Sequence, residues 1–100
     1  MTLHTWNKAD SHLASIASCL AVLGAGDSLL LIEDGVYAAL DQDFLQRFAA
    51  CGRAGARLCA LAEDLAARGI SARISPVADV IGYKEFVALS LQHQQVVNWS

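Results

Sequence analysis

The period of the hydrophobic pattern changes several times along this chain, and each change marks an element. Leu29-Leu30-Leu31-Ile32 is a run of four apolar residues followed at once by Glu33, Asp34 and Gly35. A run this short cannot span a bilayer. Without polar alternation it reads as a strand buried on both faces, the signature of a central strand in a parallel sheet. Acids and a glycine after such a strand mark its carboxyl edge, where open α/β sheets receive ligands. The same two acids are also ordinary helix-start residues, so capping of the next helix is the plainer reading.

The rest of the chain arranges itself around that strand. Leu3 to Trp6 predicts a first strand, followed by the polar loop Asn7-Lys8-Ala9-Asp10-Ser11. Leu13, Ile16, Leu20 and Leu23 fall at i, i+3, i+7 and i+10, one stripe of a helix that Gly24 and Gly26 end. Val36 to Leu40 is a short helical turn. Phe44, Leu45 and Phe48 predict a second amphipathic helix, stopped around Gly52 and Gly55. Ala56 to Leu61 is a third strand. Glu63 to Gly69 is a short helix with acids in its first turn, Arg68 in its last and glycine after it, as the helix dipole and the C-cap preference both favour. Ala72 to Ile74 reads as a fourth short strand, and Ser75-Pro76 as a turn. A final helix runs from Tyr83 to about His93, its apolar side supplied by Phe86, Val87, Leu89 and Leu91. Val96, Val97 and Trp99 form a last strand. Strands alternating with helices predict an α/β fold: a small three-layer domain over residues 1–100, with a mostly parallel sheet and helices on both faces.

Composition adds three constraints. Apolar residues make up 55% of the 100 positions and charged residues 17%, so apolar surface is expected to meet another subunit, a homo-oligomer included when natural partners are absent. The net charge is −3 and the seven Lys and Arg are scattered, which argues against direct nucleic-acid binding. Met1 to Trp6 has no cationic segment leading into an apolar core, and Leu13–Leu23 is too short and too serine-dotted to cross a membrane. A cytoplasmic location is the expectation, with no membrane contact.

Candidate chemistry is sparse. No phosphate-binding glycine loop or nucleophile elbow occurs, because Gly24-Ala25-Gly26 precedes a strand instead of following one. The histidines His4, His12 and His93 lack metal-ligand spacing, so neither a metal nor a cofactor is expected. Three cysteines, an odd count, do not suggest a disulfide framework. Cys59 falls mid-strand and Cys51 near a helix end, both positions of packing residues. Cys19 lies about 100° from the centre of the first helix stripe, at the edge of its apolar face, where a partner could reach it. Lys8 and His12 are the cations nearest to it in sequence.

Four stretches carry a resemblance to the DsrH/TusB family of small sulfur-relay subunits. They are Leu3-His4-Thr5 with Asn7-Lys8, the run from Asp27 through Asp34-Gly35-Val36, Leu61 to Ile70 with its Asp64-Leu65 and Arg68-Gly69, and Tyr83 to Leu89 with His93 and Trp99. Together they span nearly the whole chain in the family's order. Ala9 departs from the family's Ser-Pro-like loop start.

The resemblance implies a DsrE/F/H-like α/β fold. It also implies a place beside DsrE/TusD-like and DsrF/TusC-like subunits in a heterohexamer. Such complexes take persulfide sulfur from a TusA-like donor and pass it to a DsrC/TusE-like acceptor, for tRNA 2-thiouridine formation or for dissimilatory sulfur oxidation. Their main persulfide cysteine belongs to the DsrE/TusD subunit. DsrH-type members carry a further cysteine in the first helix, which Cys19 matches, so the resemblance implies Cys19 as a possible persulfide carrier. Two other readings stand beside it: a non-catalytic scaffold of the same complex, and a stand-alone domain binding a small ligand at the Glu33-Asp34-Gly35 edge.

Overall fold

In the computed structural model, which describes residues 1–10, 14–51 and 55–99, the strands are β1 (Thr2–Trp6), β2 (Ser28–Leu31), β3 (Arg57–Leu61), β4 (Asp79–Ile81) and β5 (Gln95–Trp99). They form one sheet in the order β4-β3-β2-β1-β5, with every neighbouring pair parallel. The Leu-rich run is indeed the central strand. Leu29, Leu30 and Leu31 are fully buried, one set of side chains on each face of the sheet.

Parallel neighbours need crossovers, and crossovers are right-handed. The steps β1 to β2, β2 to β3 and β3 to β4 all move the same way across the sheet, so their connections share one face. The step from β4 back to β5 moves the opposite way and crosses the other face. The two cores follow this division. The larger takes Trp6, Leu29, Leu31, Leu58 and Ala60 from the sheet. Against them pack α1 (Ala14–Val22), a 3₁₀ helix (Glu33–Leu40), α2 (Gln42–Ala50) and α3 (Ala62–Ala67). The smaller takes Leu3, Leu30, Cys59 and Ile81, covered by Phe86 and Leu89 of α4 (Tyr83–Gln92). Helices thus lie on both faces, but unequally.

Ile16, Leu20 and Leu23 point inward as their spacing predicts, and Leu13 lies outside the described residues. Three expectations are corrected. Ala72–Ile74 is a turn: Arg73 N–H folds back to Ile70 O (2.9 Å), and just beyond it Ser75 N–H donates to Ala39 O of the 3₁₀ helix (3.2 Å). The fourth strand is Asp79–Ile81 instead, anchored by the ion pair of Asp79 with Arg57 on β3 (2.9 Å). On α4, Val87 and Leu91 face solvent, leaving Phe86 and Leu89 to form the inward side.

The third correction concerns the acids after β2. Neither caps a helix, since the residue at the N-cap of the 3₁₀ helix is Ile32, with no side-chain cap. Glu33 sits at φ +51°, and its amide donates to Asp64 Oδ2 at 2.6 Å. Asp34 Oδ1 accepts from Arg68 Nε (2.9 Å) and Nη2 (2.8 Å). Both acids therefore tie the 3₁₀ helix to α3. Gly35 follows where the chain passes over the end of β1: Ile32 N–H donates to Trp6 O at 3.0 Å, and a methyl on Gly35 would overlap that same oxygen.

Candidate functional site

Cys19 stands on α1, and the sequence stripe puts it at the rim of the apolar face. It is instead fully buried. The reason is a neighbouring element: the end of α2 closes against that rim. Cys51, the C-cap of α2, donates its thiol hydrogen to Arg47 O (3.4 Å) and toward Leu20 O on α1 (3.8 Å). Burial pushes the Cys19 thiol up to about 12, and the nearby Cys51 sulfur adds to the rise. A thiol held that far above its ordinary value is protonated at neutral pH in this packing, whereas the thiolate is the reactive form. Among the described residues no cation offsets this, and His12 lies outside them. Lys8 is engaged through its backbone, its carbonyl accepting from Trp6 Nε1 at 3.1 Å.

Cys59 is equally enclosed, on the sheet face that α4 covers, and burial pushes it up to about 11. Cys51 differs from both. It is half-buried and lines a shallow groove of about 460 Å³ between α1 and α2, with Ala17, Leu20, Ala21, Arg47 and Ala50. Of the three thiols it is the one that solvent reaches, and all three are free. The groove exists because three of its residues are alanines. Ala17 and Ala21 are one helical turn apart, a signal present in the sequence and overlooked beside the leucine stripe.

A buried polar network lies near the amino edge of the sheet. Asp27, in the loop before β2, accepts from the amides of Thr2 (2.8 Å) and Gly24 (2.9 Å) and from His4 Nε2 (3.2 Å). Burial alone would raise its pKa, but the two amides and the His4 ring outweigh that and hold it below the usual carboxylate value. His4 in turn accepts from Trp99 Nε1 at 3.1 Å. His93 donates from Nδ1 to Leu89 O (2.7 Å), which leaves Nε2 to accept from the Ser28 hydroxyl (3.2 Å). Every ring nitrogen of both histidines is thus committed inside the fold. Among the described residues no three His, Cys, Asp or Glu side chains converge on a common point that could hold a metal. None of their helices is long and apolar enough to cross a membrane.

Residues 8–96 match the family model described as "DsrH like protein". The chain is similar to Protein TusB of Enterobacter sp. (strain 638), 42% identical over 98 residues that cover 97% of this chain and 99% of that protein. It is also similar to Protein TusB of Erwinia tasmaniensis, 43% identical over 84 residues, covering 84% of this chain and 86% of the relative. Among solved structures, the ychN protein from E. coli shares the fold, with a TM-score of 0.76 at 16% identity over 98% of this chain and 97% of that one. Protein Tm0979 from Thermotoga maritima superimposes with a TM-score of 0.66 at 26% identity, covering 94% and 95%.

Proposed function

Because the chain belongs to the DsrH family, we propose that it completes a sulfur-relay complex as a scaffold subunit, with sulfur carried by thiols of its partners. The partners are DsrE/TusD-like and DsrF/TusC-like chains in a heterohexamer, served by a TusA-like donor and emptied by a DsrC/TusE-like acceptor. The names of the curated relatives favour the tRNA 2-thiouridine branch over sulfur oxidation. The observation that carries the scaffold reading is the burial of Cys19 under the end of α2, with its thiol pushed up to about 12. Persulfide transfer needs a thiolate to attack the outer sulfur of the donor persulfide, whose inner sulfur leaves as a thiolate. In this packing Cys19 offers neither the charge nor the access.

The second reading keeps Cys19 as a persulfide carrier, supported by its match to the first-helix cysteine of DsrH-type chains. It requires the seam between α1 and α2 to open when the partners bind, exposing the thiol and letting it ionise.

One experiment separates the two. The complex is assembled with its partner subunits, loaded from a persulfidated TusA-like donor, and followed by intact mass and by delivery to the acceptor. The scaffold reading expects the Cys19→Ser complex to deliver sulfur at the wild-type rate, and the wild-type complex to show no gain of about 32 Da on Cys19. A persulfide on Cys19 together with lost delivery in the mutant would establish the carrier instead. A complex that neither assembles with nor accepts sulfur from such partners would remove both.

A further inference from the structure

The two buried histidines are held by partners of different kinds, and the difference decides what a proton does to each. His93, the C-cap of α4, donates from Nδ1 to Leu89 O at 2.7 Å, and its Nε2 meets the hydroxyl of Ser28 at 3.2 Å. A hydroxyl both donates and accepts. When His93 gains a proton, Ser28 turns its hydrogen away and accepts from Nε2, so both contacts survive. His4 has no such freedom. Its Nδ1 faces the indole Nε1–H of Trp99 at 3.1 Å, and an indole nitrogen only donates. Its Nε2 faces Asp27 Oδ2 at 3.2 Å. A protonated His4 donates from both nitrogens. The Asp27 side gains, because that hydrogen bond becomes an ion pair. The Trp99 side fails, because two N–H groups then point at one another. With His4 only 3% exposed, water has little access to supply the missing acceptor.

We propose that His4 is a proton-operated latch on the end of β5: neutral, it fastens Trp99; protonated, it keeps Asp27 and releases the indole. The elements around the ring bring it no second charged side chain. Its partners in the sheet are Leu29 on β2 and Val97 on β5. β2, β5 and α1 carry no charged residue, and Cys19 on α1 is held as the neutral thiol. His93 bonds Ser28, which shares a sheet face with Leu30, whereas His4 shares the opposite face with Trp6. Asp27 remains, held below the usual carboxylate value and therefore still ionised where histidines titrate. Release is confined to the end of the strand. Thr5 Oγ1–H donates to Asn98 Oδ1 at 2.6 Å and Gln94 N–H to Met1 O at 3.1 Å, neither through His4. The indole can therefore leave without unpairing the rest of β5 from β1. The latch is independent of the sulfur-relay reading, and either can fail alone.

The test follows the two indole N–H signals of the full chain by proton–nitrogen NMR as the pH is lowered from about 8 to about 5, the range in which histidines change charge. The His4 ring signals report its protonation in the same samples. The Trp99 indole signal is expected to move as His4 takes up its proton. Its protection against solvent exchange should drop about fivefold, as the loss of one hydrogen bond of ordinary net strength implies. The Trp6 indole, which donates to Lys8 O, is the internal reference and should hold its position. His93→Gln should leave the Trp99 response in place, and His4→Gln should abolish it. Should His4→Gln fail to fold, the coincidence of the two wild-type titrations carries the test alone. A Trp99 signal that stays fixed while His4 protonates overturns the proposal. So does a His4 ring that stays neutral until the chain unfolds, or a Trp99 response that disappears in His93→Gln.

Discussion

The indole Nε1–H of Trp99 donates to Nδ1 of His4 at 3.1 Å, across 95 positions of sequence. An indole can only donate, so Nδ1 is the bare nitrogen, and the hydrogen sits on Nε2, which donates to Asp27. The end of β5 thereby sets the tautomer of a histidine on β1, and that histidine holds a carboxylate in the loop before β2. The two rings also stack, with centroids 6.3 Å apart and planes at 30°.

Trp99→Phe keeps a ring there but removes the donor. Stability should fall by about 1 kcal/mol, the net worth of one such hydrogen bond. Urea denaturation, followed by the fluorescence of the remaining Trp6 and by circular dichroism, measures the change. In a double-mutant cycle with Asp27→Asn the two losses should not add, because both act through the His4 ring.

Asp27→Asn should cost about 1–3 kcal/mol at neutral pH, because the carboxylate accepts from two amides and a ring nitrogen with little access to water. Its pKa in the folded chain lies below the ordinary carboxylate value of about 3.9. Its contribution is therefore complete above that value and lost as pH falls through the folded pKa. The stability gap between wild type and Asp27→Asn should accordingly be wide at neutral pH and narrow in acid. Urea midpoints across the acid limb test this, and a gap that widens toward low pH would refute it.

Gly35→Ala should be among the most damaging single-methyl changes in the chain. Its Cβ would overlap the Trp6 carbonyl oxygen, which is backbone of a central-sheet strand and already accepts from Ile32 N–H. Relief requires moving the start of the 3₁₀ helix off β1, at a cost of about 3 kcal/mol. Gly69→Ala is the control. Gly69 has φ +66° with no atom near its Cβ position, so the loss there should be about 1 kcal/mol.

The three cysteines should react in a fixed order. Cys51 is half-buried at the α1–α2 groove, whereas Cys19 and Cys59 are sealed in the two cores with thiols pushed up to about 12 and about 11. At pH 8 the Cys19 thiol is therefore protonated, and the thiolate is what alkylates. Brief iodoacetamide treatment followed by peptide mass mapping should find the label on Cys51 first, and on the other two after denaturation. Equal labelling of Cys19 in the native chain would mean that the α1–α2 seam opens readily, and would favour the carrier reading.

Much of this architecture is written in short-range pattern. The apolar run at Leu29–Ile32 specifies a strand buried on both faces, and the stripe of Ile16, Leu20 and Leu23 specifies which side of α1 turns inward. Arg68-Gly69 marks the end of α3, because glycine tolerates the positive φ found there. Once strands and helices alternate, right-handed crossovers leave few arrangements, and the parallel sheet follows. Where the pattern was short, neighbours decided. Ala72–Ile74 reads as a strand in isolation, but Arg73 N–H turns back to Ile70 O, and it is Asp79–Ile81 that pairs with Cys59–Leu61 on β3.

The thiols show the same limit most plainly. The helical stripe locates Cys19 relative to its own helix, at a boundary, but whether a boundary is open depends on what packs across it. Here that is the end of α2, contributed by residues some thirty positions away. The local pattern determined the family of fold, its central strand and its helix faces, since those arise from interactions within a few residues. The tertiary structure decided the burial of Cys19, the exposure of Cys51 and the Trp99–His4–Asp27 chain, since each is set by residues that meet only after the sheet has formed.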